Sequence, residues 1–267
     1  MRVAWAFFLR DATVALSYRA SFALQLLGNL ILLGIFYFIG KTVASGQVPA
    51  VAVYGGDYLA FLLVGIALTD CVGVSLTTFA MQMREGQLSG ALEATLMSPV
   101  PLPLVIVYSS LWNYFFSAMR FLLYLFVGAF LYDVSLVRAD VPAAIVIFLL
   151  TVVSFAGIGI AWAGFVMLVK RGDAIMTTVG YLVLLLSGVV FPNTVLPPWL
   201  QRVALFVPLT HSLDGMRHAL LQGQGLVELA GTVGTLCVFG VVLLGGGMLA
   251  FSHAVRVAKQ TGSLTEH

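Results

Sequence analysis

The chain has 267 residues, of which 61% are hydrophobic and 9% are charged, and its mean hydropathy is +1.05. A water-soluble domain carries about 25% charged residues, so the composition excludes a soluble enzyme or binding module and leaves a protein that works inside a bilayer. The pI near 8.6 does not signal nucleic-acid binding, because the few Lys and Arg are scattered rather than clustered.

Residues 2–19 read as an amphipathic helix lying in the membrane interface. At 100° per residue, Arg2, Ala6, Arg10, Thr13 and Ser17 share one stripe, and Trp5, Phe8, Leu9, Ala12 and Leu16 cover the opposite side. Arg10, Asp11 and Arg19 interrupt this first apolar stretch, so it is not the hydrophobic core of a signal peptide. Six later segments reach the length of about 20 apolar residues that a bilayer core requires: about 21–40, 57–80, 103–131, 142–169, 174–191 and 229–251. Lys170, Arg171, Gly172 and Asp173 form a tight polar hairpin between the fourth and fifth. The expected fold is an all-α membrane protein with an interfacial N-terminal helix and six transmembrane helices, in one domain over 1–267. No internal repeat is visible, which argues against inverted-repeat secondary transporters. With both termini in the cytoplasm, Arg2, Arg10, Arg19, Arg84, Lys170, Arg171, Arg256 and Lys259 fall inside. Lys41, Arg138, Arg202 and Arg217 fall outside, so the charge bias favours this orientation.

Residues able to do chemistry are sparse. Cys71 and Cys237 both lie in apolar segments and read as small buried hydrophobes rather than a disulfide. Residues Gly34 to Thr42 read GIFYFIGKT, but the spacing is wrong for a phosphate-binding loop and the intervening residues are too bulky. No ATP site is therefore expected in this chain. His211, Asp214 and His218 share a helix face, and a polar face near the outer surface explains them better than a zinc site with no further ligand nearby. Asp70 and Arg120 are the deep charges, in the second and third spans. An ionised group facing lipid costs at least about 2.5 kcal/mol, so each should face protein or water. Their depths differ by roughly 9 Å at 1.5 Å per residue, a gap that a long Arg side chain can largely close. A structural ion pair is the favoured role, ahead of direct substrate contact.

Two loops are unusual. After the second span the chain reads MREGQLSGALEATLMSPVPLPLV from Met83, with Arg84, Glu85 and Glu93 as its only charges. Leu88, Ala91, Leu92, Thr95 and Leu96 recur at helical spacing, and the prolines at 99, 101 and 103 end the run. A short cytoplasmic helix offering side chains to a soluble partner accounts for that pattern. Between the fifth and sixth spans, four of the nine prolines lie within residues 192–208. Pro197 and Pro198 suit a helix start, Pro208 breaks that helix, and a second begins near Leu209. This stretch is too apolar for a free loop and is expected to dip into the outer leaflet as short helices, packed by Trp199 and Phe206.

These two loops carry a family resemblance. The pattern Glu85–Gly86, Gly90–Ala91–Leu92–Glu93 and Ser98–Pro99 resembles the cytoplasmic coupling region of ABC type-2 exporter permeases. The outer stretch resembles their re-entrant signature through Ser187–Gly188, Phe191–Pro192, Leu196–Pro197–Pro198–Trp199–Leu200, Pro208–Leu209–Thr210 and Asp214–Gly215–Met216–Arg217. Over essentially the whole chain the pattern looks like the compact permeases of drug, lipid and oligosaccharide exporters. The resemblance implies two permease copies, identical or close paralogues, around a central path in a bacterial inner membrane, with two separate ATPase subunits binding Mg-ATP below. It implies a coupling helix at about 84–98 that uses Arg84, Glu85, Leu88, Leu92, Glu93 and Leu96. It also implies an outer gate over 191–222 with Pro192, Pro197, Trp199, Pro208, Asp214 and Arg217. Tyr108, Trp112, Phe115 and Phe116 are candidates to line the path, with lipid-facing or interfacial packing as their alternative. The competing functional reading is a stand-alone intramembrane enzyme or a secondary transporter.

Overall fold

The computed structural model describes residues 2–17, 19–44, 51, 54, 57–88, 102–131, 134, 139–169 and 173–261. In a bilayer core every backbone N–H and C=O must be satisfied within the chain, which leaves long apolar runs only the helix or a closed barrel. The described residues are overwhelmingly helical, with no strand among them. In chain order the helices are α1 (Arg2–Ser17), α2 (Arg19–Ala44), α3 (Tyr58–Leu88), α4 (Leu102–Leu131), α5 (Val141–Val169), α6 (Asp173–Leu186), α7 (Pro198–Ala204), α8 (Pro208–Arg217) and α9 (Ala230–Thr261).

Five of these contain stretches long and apolar enough to cross a membrane: Ala23–Thr42, Tyr58–Arg84, Val107–Phe130, Val141–Val169 and Ala230–Ala258. The fifth expected segment, 174–191, is helical only over the 14 residues of α6, roughly 21 Å of rise against a core of about 30 Å. The chain leaves the helix at Ser187 and turns at Gly188, whose φ is +73°. Only glycine adopts that conformation without steric cost, and Asn193 Oδ1 occupies the place a Cβ would take. The apolar run continues to Phe191 while the helix does not.

Local chemistry sets the helix ends. Asp57 caps α3, accepting from the backbone N–H of Leu59 at 2.9 Å and of Ala60 at 3.3 Å. Asp140 does the same for α5 through the N–H of Ala143 at 2.8 Å. Each satisfies donors that the first helical turn leaves without partners. Pro103 sits in the first turn of α4, where its missing N–H removes no helical bond. Pro198 and Pro208 begin α7 and α8 in the same way, so Pro208 starts the second short helix as well as ending the approach to it.

The helix α3 is the hub. Phe61, Leu62, Val64, Ala67, Leu68, Cys71, Val72, Leu76, Phe79 and Met83 are buried along its length, and it packs against α2, α4, α5 and α8. The most extensive helix pair is α5 with α9. The two run parallel, with Val153 and Ser154 beside Gly240, and Gly164 beside Phe251 and Ala254. A side chain on Gly157 would strike the backbone of Leu243, and one on Gly247 would strike Gly157. Lipid offers apolar helices no solvent-driven reason to associate, so small residues that permit backbone contact supply the attraction through dispersion. The exposed apolar surface is shared among α2, α4, α5, α6 and α9, with Leu24, Ile31, Phe126, Leu149, Tyr181 and Val241 among its residues.

Candidate functional site

Three constellations stand out, and the one around Arg217 is the most tightly built. Arg217, at the end of α8, is 2% exposed. Its Nη1 donates to Gly188 O at 2.9 Å, and its Nη2 donates to Val189 O at 3.0 Å and to Phe61 O at 3.2 Å. Its Nε also donates to Phe61 O, at 3.3 Å. The guanidinium carbon lies 3.4 Å from the centroid of the Phe61 ring and 5.6 Å from that of Tyr54. One planar fork thereby joins three elements: the end of α8, the turn after α6 and the N-terminal end of α3. Gly65 makes room for it, since a Cβ there would press on Val189 O and on Arg217 Nη2. Burial pushes Arg217 down to about 9, which leaves it cationic at neutral pH.

The neighbouring charge is held at one remove. Tyr54 donates its phenol to Asp214 Oδ1 at 2.9 Å, while His218 Nδ1 lies 2.8 Å from the Asp214 carbonyl and 3.5 Å from its carboxylate. A carbonyl only accepts, so Nδ1 carries the hydrogen. Burial, reinforced by Asp214, pushes the Tyr54 phenol up to about 12, so it remains a donor. Tyr58 donates to Val190 O at 3.0 Å and ties the same turn to α3 a second time. His211 turns away to Leu205 O at 2.9 Å, so the two histidines of this helix serve different partners. Buried Thr151 and Ser212 join α5 to α8 through a 2.7 Å bond between hydroxyls.

The short helices are not packed as expected. Trp199 is 65% exposed and Phe206 is 80% exposed. The inward anchors are Leu209, Leu213 and Met216 of α8, all fully buried, together with Arg217. Both aromatic rings instead continue the apolar exterior, beside Val195, Val203 and Leu205. Pro192 precedes the short 3-10 turn Asn193–Val195, and Pro197 precedes the start of α7.

The second constellation lies midway along α3 and α4. Arg120 Nη2 approaches Asp70 Oδ2 at 3.1 Å, with the Arg side chain 6% exposed and the Asp side chain 24% exposed. The contact lacks the alignment of a hydrogen bond, and Arg120 Nε has no hydrogen-bond partner among the described residues. The guanidinium lies 5.2 Å from the Phe116 ring centroid. Around the pair the α3–α4 seam is polar: Ser75 donates to Cys71 O at 3.0 Å, Gln82 donates to Ser109 O, and Ser110 and Ser117 are buried.

The third constellation is aromatic. Phe7 of α1 meets Tyr108 at 6.3 Å between centroids, and Phe8 meets Trp112 at 5.4 Å and Phe115 at 5.5 Å, both edge-on. Phe116 stacks on Trp112 at 6.3 Å. The rings considered as path lining therefore dock α1 onto α4 within the single chain. Edge-on and stacked pairs of this kind add about 0.5–1.5 kcal/mol beyond their buried area. Of the coupling segment, Arg84 is exposed on α3, and the helix continues unbroken through Glu85 to Leu88. Leu92, Glu93 and Leu96 lie outside the described residues.

Sequence reasoning singled out Asp214 and Arg217 but missed Tyr54, Phe61 and Val189. Gly188 next to Ser187 was the available signal for a turn, whereas nothing local marks Tyr54, whose partner Asp214 lies 160 positions away.

Five membrane-length helices among the described residues, a shorter apolar helix and a Pro-rich segment tied to the bundle through Arg217 define a multi-pass membrane protein. The model for the ABC-2 family transporter protein matches residues 47–249, most of the chain. The chain belongs to the ABC-2 transporter family. Local similarity is found to Nodulation protein J of Rhizobium leguminosarum bv. viciae, 44% identical over 59 residues, which is 22% of either chain. Nodulation protein J of Rhizobium meliloti (strain 1021) is likewise 44% identical over 59 residues, 22% of either chain. The matched stretch thus spans about a fifth of the length of these curated relatives.

Proposed function

We propose that this chain is the membrane-spanning permease of an ATP-driven ABC exporter in a bacterial inner membrane. It carries an amphipathic cargo, whether lipid-like, drug-like or a lipid-linked glycan, out of the cytoplasm or inner leaflet. Two permease copies form the path, and two separate ATPase subunits bind and hydrolyse Mg-ATP beneath them. The family match across residues 47–249 carries this reading. Both termini face the cytoplasm, the segment at about 84–98 receives the ATPase, and residues 191–222 re-enter the outer leaflet and gate the exit. The continuity of α3 into residues 84–88 supports the coupling role. A helix of 31 residues is roughly 46 Å long and outreaches a core of about 30 Å.

Co-purification with an ABC ATPase subunit, followed by reconstitution in vesicles, tests the reading. The permease alone should hydrolyse no ATP, and the complex should hydrolyse it and move cargo. Activity of the isolated permease, free of contaminating ATPase, would overturn the assignment. Glu93→Arg should weaken assembly or uncouple hydrolysis from transport while inserted yield stays normal, because a charge-assisted contact at an interface fixes register. A solvated loop carboxylate would instead contribute about 0–1 kcal/mol and leave transport unchanged. Orientation is read from a cysteine at exposed Val195, which should react with impermeant thiol reagents added outside; labelling from inside only would reverse the topology.

A further inference from the structure

The seam between α3 and α4 concentrates polar atoms that lack partners. Eight buried side-chain N or O atoms among the described residues have no hydrogen-bond partner, and five of them lie on this seam: Asp70 Oδ2, Gln82 Oε1, Tyr114 OH, Ser117 Oγ and Arg120 Nε. Ser117 is fully enclosed and Arg120 is 5% exposed. Buried polar groups nearly always have a partner in protein or ordered water. Elsewhere in the bundle they do: Thr151 bonds Ser212, and Ser187 bonds Val183 O. Asp70 Oδ2 at least faces Arg120 at 3.1 Å. The other four have no such cover, and their sharing one helix pair calls for one explanation.

The four atoms form a line. Arg120, Ser117 and Tyr114 are spaced three residues apart on α4, roughly 4.5 Å of rise per step. One water joins polar atoms about 5.5 Å apart through two bonds of about 2.8 Å. Helical side chains lean toward the N-terminus of their helix, and the Arg120 guanidinium does so, 5.2 Å from the Phe116 ring centroid. Gln82 donates its amide to Ser109 O, which places the far end of the line beside Ser109. Small buried residues line the levels between. Ser75 and Ser110 give their hydrogens to Cys71 O and Val107 O and keep lone pairs to offer. Ser117 lies beside the Cys71 thiol and Tyr114 beside Ser75, but neither contact has the alignment of a hydrogen bond. The line also has a direction. Arg120 Nε only donates, Gln82 Oε1 only accepts, and the hydroxyls do both. Water, with two hydrogens and two lone pairs, passes that polarity along. A cation would meet Arg120 and an anion would meet Asp70, so an ion suits the seam less well.

We propose that the α3–α4 seam binds a file of water molecules running from Arg120 Nε past Ser117 and Tyr114 to Gln82 Oε1. The inference goes beyond the exporter reading and does not rest on it. The water is a structural ligand that completes the hydrogen bonding of a buried guanidinium, and Ser117 and Tyr114 are positioning residues for it.

Radiolytic footprinting of the full-length permease in nanodiscs tests the site, because hydroxyl radicals formed from an enclosed water oxidise the side chains beside it. Cys71 and Met167 are sulfur side chains of equal burial, each 1% exposed, but only Cys71 adjoins the proposed file. With each rate normalised to that of the unfolded chain, Cys71 should oxidise at least about tenfold faster than Met167. Ser117→Val, which removes a bridging hydroxyl and fills its place, should bring Cys71 down to the level of Met167 and leave Met167 unchanged. Gln82→Leu should also slow oxidation of Cys71, because it removes the terminal acceptor. Equal protection of Cys71 and Met167 in the wild type would overturn the site, and that comparison decides the matter even if a variant folds poorly. Undiminished oxidation of Cys71 in Ser117→Val would likewise overturn it. Undiminished oxidation in Gln82→Leu would overturn the continuous file.

Discussion

Two arginines are buried among the described residues, and they are accommodated by opposite means. Arg120, midway through the bundle, faces a carboxylate at 3.1 Å and leaves its Nε without a hydrogen-bond partner. Arg217, at the end of α8, makes no ion pair with a carboxylate among the described residues and instead donates to three backbone carbonyls across the face of Phe61. Opposite charge suits a site where two continuous helices leave no free backbone acceptor. Carbonyl dipoles suit a site where a helix has just ended and its last oxygens need donors. The difference is between balancing a charge and using one. Arg120 and Asp70 each make the other tolerable, whereas Arg217 completes a turn that would otherwise hold orphaned acceptors.

The comparison breaks most visibly at Arg120. Arg120→Ala and Asp70→Ala should each lower folded yield and thermal midpoint in detergent, by about 3–5 kcal/mol where the remaining charge is fully enclosed. The double variant should be milder than the sum of the two. Strict additivity would show that the pair is not energetically coupled.

Arg217→Lys should be less severe but still costly, about 2–3 kcal/mol. One ammonium cannot reproduce the fork, and Gly188 O or Val189 O is left unsatisfied. If lysine restores the wild-type midpoint, charge alone holds the turn and the directional account fails. The smallest effect belongs to Tyr54→Phe, about 1 kcal/mol for one half-buried hydrogen bond. The folded phenol titrates at about 12, above the unfolded value near 10. The bond's contribution is therefore full below about pH 10 and is lost as pH rises from about 10 to about 12. A midpoint difference between wild type and Tyr54→Phe that already vanishes near neutral pH would contradict the burial of that hydroxyl.

Much of this architecture was legible in the amino-acid order, because about 20 apolar residues in a row have few alternatives to a spanning helix. Asp70 and Arg120 announced themselves by type, since ionised groups stand out in apolar segments. What escaped reading has a physical cause in each case. Hydropathy does not register where a helix stops, so the segment 174–191 looked continuous although Gly188 turns it at φ +73°. Trp199 and Phe206 read as packing residues of the short helices, yet both are exposed. In a membrane protein an apolar ring has two favourable destinations, the interior and the lipid, and composition does not choose between them. Tyr54 and Phe61 meet their partners across 160 and 156 positions, a separation at which helical periodicity carries no information.

That last separation fixes an order of events during synthesis. Phe61 leaves the ribosome far ahead of Arg217, with α4, α5 and α6 still to come between them. Throughout that interval the N-terminal end of α3 waits without its guanidinium, and the turn at Gly188 exists for only the last 29 positions of it. Tying of α8 to α3 is therefore a late event in synthesis. A chain that ends within α7 has Phe61 and the Gly188 turn but not the arginine that joins them.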